Sequence, residues 1–510
     1  MNEPVYITTP LYYVNAEPHL GSTYTTVICD AYARFHRQRG RDVWFQTGTD
    51  EHGEKIATAA SAAGLEPRAF VDDVSGLFRA VWDSCGISYD HFIRTSSPSH
   101  TAFVQDLLSR LHEAGDIYFG DYAGLYCVGC ERLYTEKELI DGRCPQHLTV
   151  PETVSEPNYF FRMSRYQDRV REILDSQPDL VRPEGYRREA LAMLKEPLGD
   201  LCISRPRKRL EWGIELPFDR EYVTYVWFDA LVNYVSGPAA MGRLDATWPG
   251  VEHFIGKDIL KPHVVFWPCM LLAAGLPLFR HLNVHGFWSS GGQKMSKSLG
   301  NVARPLAIRD RYGMDALRYF LMREMAFGQD SDFTEDALVV RLNADLANGF
   351  GNFASRILAM INKYFDGVVQ PLSHRSPADD VLPLAFAKGR AEMESHVHQL
   401  AFHRGLESLW RALDVANKYV VETAPFRLAK DPAERGRVGT ILHHCLEALR
   451  VQAQLVAPFL PDAAERLREI LALSPERFAD LDLPWGEAFP AGHRVGAAVN
   501  LFPRVEAVGP

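Results

Sequence analysis

The sequence predicts a Rossmann-type α/β domain that is split by an insertion and followed by an all-α helical bundle. Three observations support this fold class. A strand–loop–helix–strand pattern opens the chain, cysteines and a histidine with metal-site spacing interrupt the α/β pattern, and apolar residues recur at helical spacing from about Ala337. The 510 residues are 46 % apolar and 24 % charged, which is enough core for several domains.

The opening pattern is typical of a nucleotide-binding βαβ unit. Residues 5–9 and 43–47 are short β-rich runs, and 21–39 between them predicts a helix. His19 and Gly21 therefore fall at the helix N-terminus, where backbone amides and the helix dipole favour phosphate. Gly21 would also let an adenine ring lie against the backbone. Taken alone, His19 is more simply a helix-cap histidine without a ligand.

Polar residues follow the β-rich runs, where an open α/β sheet binds its ligands. Asp50, directly after the second run, could hold a substrate ammonium group or cap the next helix. The α/β pattern resumes in β-rich runs at 222–230, 253–259 and 282–286. Asp258 is a candidate for ribose hydroxyls, with the capping of a turn as its simpler role.

The segment that interrupts the α/β pattern carries four metal-ligand residues. Cys127-x2-Cys130 and Cys144-x2-His147 are separated by thirteen residues. Three thiolates and one imidazole complete a tetrahedron, so the spacing predicts a zinc knuckle that is structural and has no open position. Chance burial of these residues is the alternative. Eight cysteines without a secretory signal indicate thiols or metal ligands rather than disulfides.

A second chemical feature is the run 293–301, which contains Lys294 and Lys297 between flanking glycines. Lysine is a compact charge on a flexible stem. A bendable loop with two ammonium groups suits a polyphosphate whose charge grows during a reaction. A solvated loop is the alternative, and a five-residue match decides little by itself.

Taken together, Lys-Met-Ser-Lys-Ser at 294–298 and Pro-His-Leu-Gly-Ser at 18–22 resemble the signature pair of class I aminoacyl-tRNA synthetases. From about residue 5 to residue 461 the chain is similar to bacterial methionyl-tRNA synthetases, with matching stretches at 8–15, 47–53, 225–234, 256–263 and 294–301. The resemblance implies activation of L-methionine by ATP with Mg²⁺ and transfer of the methionyl group to the terminal adenosine of tRNA(Met).

The resemblance also implies individual roles. The catalytic residues would be His19, Ser22, Lys294 and Lys297. The residues that bind ATP would be His19, Gly21, Gly256, Asp258, Lys294 and Lys297. The methionine pocket would be formed by Leu11, Tyr13, Asp50, Trp227, Ala230, Leu231, Tyr234, Ile259 and His263, with Asp50 on the amino group. The anticodon would be read by Asn352, Arg356 and Phe426, and the knuckle would hold one Zn²⁺ per chain.

The chemistry of methionine supports such a pocket. Its side chain is flexible and apolar, with a sulfur that is only a weak acceptor. Tyr13, Trp227 and Tyr234 would supply an aromatic lining, and only Tyr234 and His263 could donate toward the sulfur. Apolar fit alone discriminates by roughly 1–3 kcal/mol per methylene.

Two positions depart from the family pattern. Ser22 replaces the second histidine of the first signature, and its hydroxyl could still donate to a phosphate oxygen but carries no charge. Phe426 stands where tryptophan is common, so stacking on a base is retained with a smaller face and without the indole donor.

The predicted domains follow from these patterns. The Rossmann halves are 1–115 and 222–289, and the connective insertion with the knuckle is 116–221. A signature-loop and stem-contact region at 290–336 precedes the α-helical anticodon-binding domain at 337–510. In the first helix of that domain Asn352 and Arg356 are four residues apart and share a face.

Charge and targeting signals set further expectations. The net charge of −10 argues against simple electrostatic binding of nucleic acid, although local patches matter more than the sum. The sequence lacks a signal peptide, and its most apolar run, 264–279, is too short to span a bilayer and indicates a buried helix. We expect a cytoplasmic protein without a membrane partner. It is expected to be a monomer, because the chain ends near the bundle.

Other proteins share part of this pattern. The isoleucine, valine and leucine enzymes carry an editing insertion for which 116–221 leaves no room. The cysteine enzyme is a nearer rival, but its zinc holds the substrate and needs an open position. An inactive tRNA-binding paralogue should lack one signature, and a free nucleotidyltransferase would not explain the helical domain.

Overall fold

The computed structural model describes residues 4–15, 17–127, 132–134, 136, 139–145, 148–294 and 303–506. They form two compact units, Met1–His285 and Gly286–Pro510. Within the described residues, no helix is both long and apolar enough to cross a membrane.

The strands are β1 Val5–Thr8, β2 Tyr12–Tyr13, β3 Val43–Asp50, β4 His91–Arg94, β5 Ile117–Cys127, β6 Arg132–Tyr134, β7 Glu152–Phe161, β8 Val181–Arg182, β9 Leu201–Cys202, β10 Ser204–Pro206, β11 Glu215–Leu216, β12 Asp219–Thr224, β13 Val251–Gly256, β14 His281–His285, β15 Trp288–Ser290, β16 Gln293–Lys294 and β17 Ser331–Phe333.

The α-helices are α1 Leu20–Gln38, α2 Glu54–Ala62, α3 Pro67–Ser84, α4 Pro98–Glu113, α5 Gln167–Ser176, α6 Glu184–Met193, α7 Val226–Ala240, α8 Leu244–Thr247, α9 Trp267–Ala273, α10 Pro305–Tyr312, α11 Met314–Glu324, α12 Glu335–Arg341, α13 Asn352–Phe365, α14 Val381–His398, α15 Phe402–Thr423, α16 Pro425–Leu428, α17 Arg435–Val456, α18 Pro461–Ile470 and α19 Pro475–Ala479. Two π-helical segments are Pro262–Phe266 and Leu342–Gly351, and short 3₁₀ turns occur at Met163–Tyr166, Trp248–Gly250, Lys257–Ile259, Pro377–Asp380 and Pro432–Glu434.

A parallel sheet organises the first unit, with strand order β2-β3-β1-β13-β14-β8 and β4 paired to β3. Its central strands are buried along their length, as expected for a sheet covered on both faces. The chain moves from β1 to β3 on one side and later to β13 on the other. This reversal opens a crevice beyond the carboxyl ends of β1 and β13, which is where such sheets bind ligands.

The opening prediction is confirmed, but the run 222–230 is not one strand. β12 ends at Thr224 and belongs to a separate sheet with β10 and β11. From Val226 the chain is helical, and α7 is buried almost all round, as expected for a helix in the core of a large domain. Burial therefore overrode β-propensity, which is a weak and context-dependent preference.

The inserted segment contains a four-stranded antiparallel sheet in the order β6-β5-β7-β9. One part of the segment returns to the main sheet, since β8 pairs in parallel with β14. The apolar run 264–279 begins within the buried π-helical turn Pro262–Phe266, continues through α9 and ends in the loop that follows it. The short apolar run is therefore a core element of the first unit.

The second unit begins with a three-stranded sheet in the order β16-β15-β17 and continues as helices. The helical region predicted from about Ala337 to near 470 is confirmed. Its apolar stripe faces the core as expected, and the buried members are Leu342, Leu346, Phe350, Phe353, Ile357 and Ile361.

Candidate active site

His19 lies at the N-terminus of α1 and caps it with its own ring. His19 Nδ1 accepts hydrogen bonds from the backbone amides of Gly21 (3.1 Å) and Ser22 (3.4 Å). A ring nitrogen that accepts cannot carry a proton, so the neutral ring holds its proton on Nε2. His19 is exposed at the start of the helix. The predicted position of His19 at the helix N-terminus is confirmed.

The same cap engages the backbone amides and the hydroxyl group that were expected to contact phosphate. The amides of Gly21 and Ser22, which were expected to face phosphate, point to the His19 ring. The Ser22 hydroxyl donates to the His19 carbonyl (2.8 Å) and accepts from the His19 amide (3.0 Å), and Ser22 is buried. In this structure its proton is therefore donated inside the turn, and a contact from Ser22 to phosphate stays a prediction. A side chain at Gly21 would press on the ring, because an added Cβ would lie 3.0 Å from His19 Cε1.

The predicted methionine pocket contains a fixed hydrogen-bond chain. The Ile259 carbonyl can only accept, so His263 Nδ1 donates to it (2.9 Å). His263 Nε2 must then accept from the Tyr234 hydroxyl (2.7 Å). Burial lowers the pKa of His263 to about 4, so the ring is neutral. The two donors expected to face the sulfur are therefore engaged with protein partners in this structure, and a contact from either to the sulfur stays a prediction.

The other predicted pocket residues lie on elements that meet at the same crevice. Trp227, Ala230, Leu231 and Tyr234 are on the first turns of α7, and the Trp227 ring stands edge-on to His263 with centroids 6.4 Å apart. Leu11 lies between β1 and β2 and is half-buried. Asp50 is the last residue of β3 and is buried.

Gly256 and Asp258 follow the next strand of the crevice. Gly256 ends β13, and Asp258 is in the 3₁₀ turn Lys257–Ile259 with an exposed side chain. A Cβ on Gly256 would lie 2.6 Å from Asp258 Oδ1, so a larger residue here would require the Asp258 carboxylate to move. Both residues stand at the carboxyl edge of the sheet, as predicted for nucleotide contacts.

Lys294 belongs to β16 in the second unit, where its backbone is paired with Ser289. Its side chain, and Lys297 altogether, lie outside the described residues. The reach of these ammonium groups therefore stays a prediction.

The predicted knuckle is described only in part. Cys127 and Cys144 are buried, are not in disulfides, and share a small cluster with Tyr134. Cys130 and His147 lie outside the described residues. In the part of the chain that is described, no group of three or more metal-ligand side chains occurs. Two buried thiols brought together from 17 residues apart fit the donor chemistry of zinc.

The predicted anticodon residues are surface features of the helical region. Asn352 and Arg356 lie on the first two turns of α13, where Asn352 is exposed and Arg356 half-buried. Phe426 lies on α16 and is 42 % exposed. Phe426 is therefore not a core residue, which was the alternative explanation for an aromatic at this position.

Comparisons with known proteins agree with this geometry. The family pattern "tRNA synthetases class I (M)" matches residues 5–150 and 148–358, and "Anticodon binding domain of methionyl tRNA ligase" matches 373–508. The chain belongs to the methionyl-tRNA synthetase family. Its relatives include a methionine–tRNA ligase of Deinococcus radiodurans, 46 % identical over 98 % of this chain and 74 % of the relative, and one of Caldanaerobacter subterraneus, 42 % identical over 99 % and 80 %.

Solved structures of this family superpose closely on the chain. The Mycobacterium tuberculosis methionyl-tRNA synthetase in complex with methionyl-adenylate gives a TM-score of 0.94 at 37 % identity, covering 99 % of this chain and 100 % of that one. The fold is therefore that of a class I synthetase catalytic domain with a helical anticodon-binding domain.

One buried cluster in this synthetase fold was missed by the sequence reasoning. Asp229 accepts from His52 Nδ1 (2.6 Å) and from His100 Nε2 (2.7 Å), and His100 Nδ1 lies 2.6 Å from the Ser236 hydroxyl. Burial would raise the pKa of Asp229, but the two histidines hold it below its usual value. The available signal was Asp229 itself, an acid among apolar residues five positions before Tyr234.

This cluster is connected to the pocket through the backbone. The Tyr13 hydroxyl donates to the carbonyl of His52 (2.9 Å), and the His52 ring is held by Asp229. Asp229 therefore helps to fix an aromatic wall of the predicted methionine pocket without facing the substrate itself.

Proposed function

We propose that this chain activates L-methionine with ATP to methionyl-adenylate and transfers the methionyl group to tRNA(Met). The observation that carries the proposal is the neutral, hydrogen-bonded Tyr234–His263 pair, which lies beside the Trp227 ring. The first step needs positioning and charge stabilisation rather than a protein nucleophile, because the methionine carboxylate itself attacks the α-phosphate.

Each group of residues has a role in that step. Asp50 holds the ammonium group of methionine, and Leu11, Tyr13, Trp227, Ala230, Leu231, Tyr234, Ile259 and His263 enclose its side chain. His19 donates from Nε2 to a phosphate oxygen, Gly21, Gly256 and Asp258 accommodate the nucleoside, and Lys294 and Lys297 stabilise charge on the departing pyrophosphate. Mg²⁺ would accompany ATP and neutralise phosphate charge.

In this arrangement, methionine is selected over other amino acids by the apolar fit of its side chain in the pocket. The protons of Tyr234 and His263 are directed to His263 and Ile259, so the pocket offers no strong donor to a hydroxyl or amide side chain. A polar analogue would leave its own groups without partners, which costs roughly 1–3 kcal/mol, about as much as a missing methylene. Isoleucine and valine are branched at Cβ and would have to displace the aromatic walls.

We further propose that the helical domain reads the anticodon CAU. Asn352 and Arg356 would donate to base edges, and the exposed face of Phe426 would stack on a base, which is worth roughly 1–3 kcal/mol. Arg356→Ala should then slow charging of tRNA while leaving amino-acid activation unchanged. Phe426→Ala should weaken binding of tRNA at an unchanged melting temperature, and Phe426→Trp should hold or improve it.

A structural Zn²⁺ ligated by Cys127, Cys130, Cys144 and His147 is also part of the proposal. It is supported by the spacing of the four residues and by the burial of the two described thiols. Elemental analysis of protein purified without chelator should find one zinc per chain, and Cys144→Ser should lose it. Cys202→Ser, which changes another buried cysteine, is the matched control and should keep the metal.

Pyrophosphate exchange into ATP, measured with each of the twenty amino acids, tests the central proposal. Exchange should depend on methionine. Exchange with cysteine instead would favour the cysteine enzyme, and no exchange together with retained tRNA binding would favour an inactive paralogue. A cytoplasmic location follows from the proposed substrates, which meet during protein synthesis.

A further inference from the structure

Lys294 lies on the second strand of a hairpin, and the carboxylate of Asp332, on a third strand, forms hydrogen bonds to that hairpin. β15 pairs with β16 through Ser289 opposite Lys294 and Ser290 opposite Gln293, and it pairs with β17 through Ser289 opposite Asp332. Lys294, Ser289 and Asp332 are therefore consecutive neighbours across one small sheet of the second unit.

The turn of this hairpin is intrinsically pliable. Gly291 and Gly292 have φ angles of 61° and 74°, the left-handed values that a two-residue β-hairpin loop of the favoured hand requires. Among the described residues, no atom lies within 4 Å of where a Cβ would be at either glycine, so that part of the chain does not pack against the turn there. Two adjacent glycines also lose more conformational entropy on ordering than any other pair.

Asp332 supplies the constraint that packing does not. Its Oδ1 accepts from the Ser289 hydroxyl (2.5 Å) and from the amide of Gly292 (2.9 Å). The hydrogen bond from Ser289 and those from the amides of Gly292 and Gly291 lower the pKa of Asp332 below its usual value. One carboxylate thus ties the first strand of the hairpin to its turn, and charge-assisted bonds of this kind are about twice as strong as neutral ones.

The other end of the hairpin is anchored in the core. The Trp288 ring is buried and lies 5.6 Å from Phe320 of α11, which is also 5.6 Å from Phe333 of β17. Asp332 lies directly before Phe333, so its position is fixed by that aromatic cluster. The hydrogen bonds of Asp332 therefore form a clamp. This clamp ties the Gly291–Gly292 turn, which precedes Lys294, to a residue whose position is fixed by the core.

We infer that Asp332 is a positioning residue for the lysine signature: its bonds to Ser289 and to the Gly291–Gly292 turn set the strand that carries Lys294. This inference rests on the proposed function, in which Lys294 and Lys297 act on ATP. Loss of the clamp leaves Lys294 on a turn with many conformations, so the cost falls on the transition state rather than on the binding of methionine.

The test is methionine-dependent pyrophosphate exchange in Asp332→Ala. We expect kcat to fall about 10- to 100-fold, the scale of a small misplacement of a catalytic group, while KM for methionine stays unchanged. Asp332→Asn retains an acceptor oxygen and should recover part of the loss. Asp336→Ala removes an exposed acid from the first turn of α12 and should behave as the parent chain.

The coupling between the two partners gives a second measurement. If Asp332 acts through Ser289 and the turn, Ser289→Ala should cost little once Asp332 is already alanine, so the double variant should be less impaired than the product of the two single effects. Equal kcat in Asp332→Ala and Asp336→Ala would overturn the inference, as would a change confined to KM for methionine. Failure of the parent chain to catalyse exchange would instead refute the proposed function.

Discussion

Each unit of the molecule buries a carboxylate, and the two are held by different kinds of hydrogen-bond donor. Asp229 in the first unit lies between the rings of His52 and His100. Asp379 in the second unit receives two bonds from the Arg437 guanidinium (2.6 Å each) and one from the Tyr419 hydroxyl (2.6 Å). A guanidinium keeps its charge at every accessible pH, whereas an imidazole does not.

The two acids are expected to have different roles: Asp379 supports the fold, and Asp229 supports the predicted methionine pocket. Asp379 ties the 3₁₀ turn Pro377–Asp380 to α15 and α17, and its surroundings lower its pKa to about 2 against the effect of burial. Asp229 is connected instead to Tyr13 of the predicted pocket through the backbone of His52. A buried acid held by arginine is therefore expected to control stability, and one held by histidines at a site is expected to control binding.

The largest expected effect is the loss of stability when Asp379, the acid paired with Arg437, is replaced. Asp379→Ala leaves Arg437 and Tyr419 without their acceptor inside the bundle, and it should reduce the free energy of unfolding by about 3–5 kcal/mol. Urea denaturation followed by circular dichroism measures this loss. An Arg437→Ala/Asp379→Ala double variant should recover part of it, and a loss below 1 kcal/mol in the single variant would show that the pair adds nothing to the fold.

The histidine-held acid should respond in binding rather than in stability. In Asp229→Asn the amide offers an acceptor to only one of the two histidines, which releases His52 and with it Tyr13. Because a hydrogen bond to a charged group is worth about 1.5–3 kcal/mol, KM for methionine should rise about 10-fold or more. Asp106→Asn, an exposed acid on α4, is the control. An unchanged KM for methionine in Asp229→Asn would contradict the different roles assigned to Asp229 and Asp379.

Acid titration tests the arginine-paired site by a smaller effect. The pKa of Asp379 is about 2 in the fold and about 3.8 in the unfolded chain, so its contribution is complete above pH 4 and is lost as pH falls toward 2. The loss amounts to about 2 kcal/mol. The difference in unfolding free energy between the parent and Asp379→Asn should shrink across this window, and a constant difference would contradict the assignment.

The smallest expected effect is at the cap of α1. Ser22→Ala removes both bonds between the hydroxyl and His19, and a lost cap interaction costs about 1 kcal/mol. Ser22→Thr keeps the hydroxyl and should restore both the stability and the exchange rate. Exchange that falls sharply in Ser22→Thr as well as in Ser22→Ala would favour a direct role of Ser22 toward phosphate.

Sequence reasoning succeeded where a local pattern decides the structure. The βαβ opening, the position of His19 at the start of α1 and the apolar stripe of α13 follow from short-range periodicity and from capping, which neighbouring residues determine by themselves. The family was recognised because two distant signatures and several intermediate stretches matched together. The run 222–230 was predicted wrongly as a strand, because its propensity gave no information about burial.

The sequence could not determine the direction of hydrogen bonds, or their partners, between residues that are distant in the chain. It identified Ser22, Tyr234 and His263 as chemical groups, but it could not show that their protons are already donated to His19, His263 and Ile259. Hydrogen bonds in a buried site are settled by the geometry of several elements at once, and linear spacing does not contain that geometry. For the same reason Asp229 between its two histidines, and Asp332 across from Lys294, became visible only in the tertiary structure.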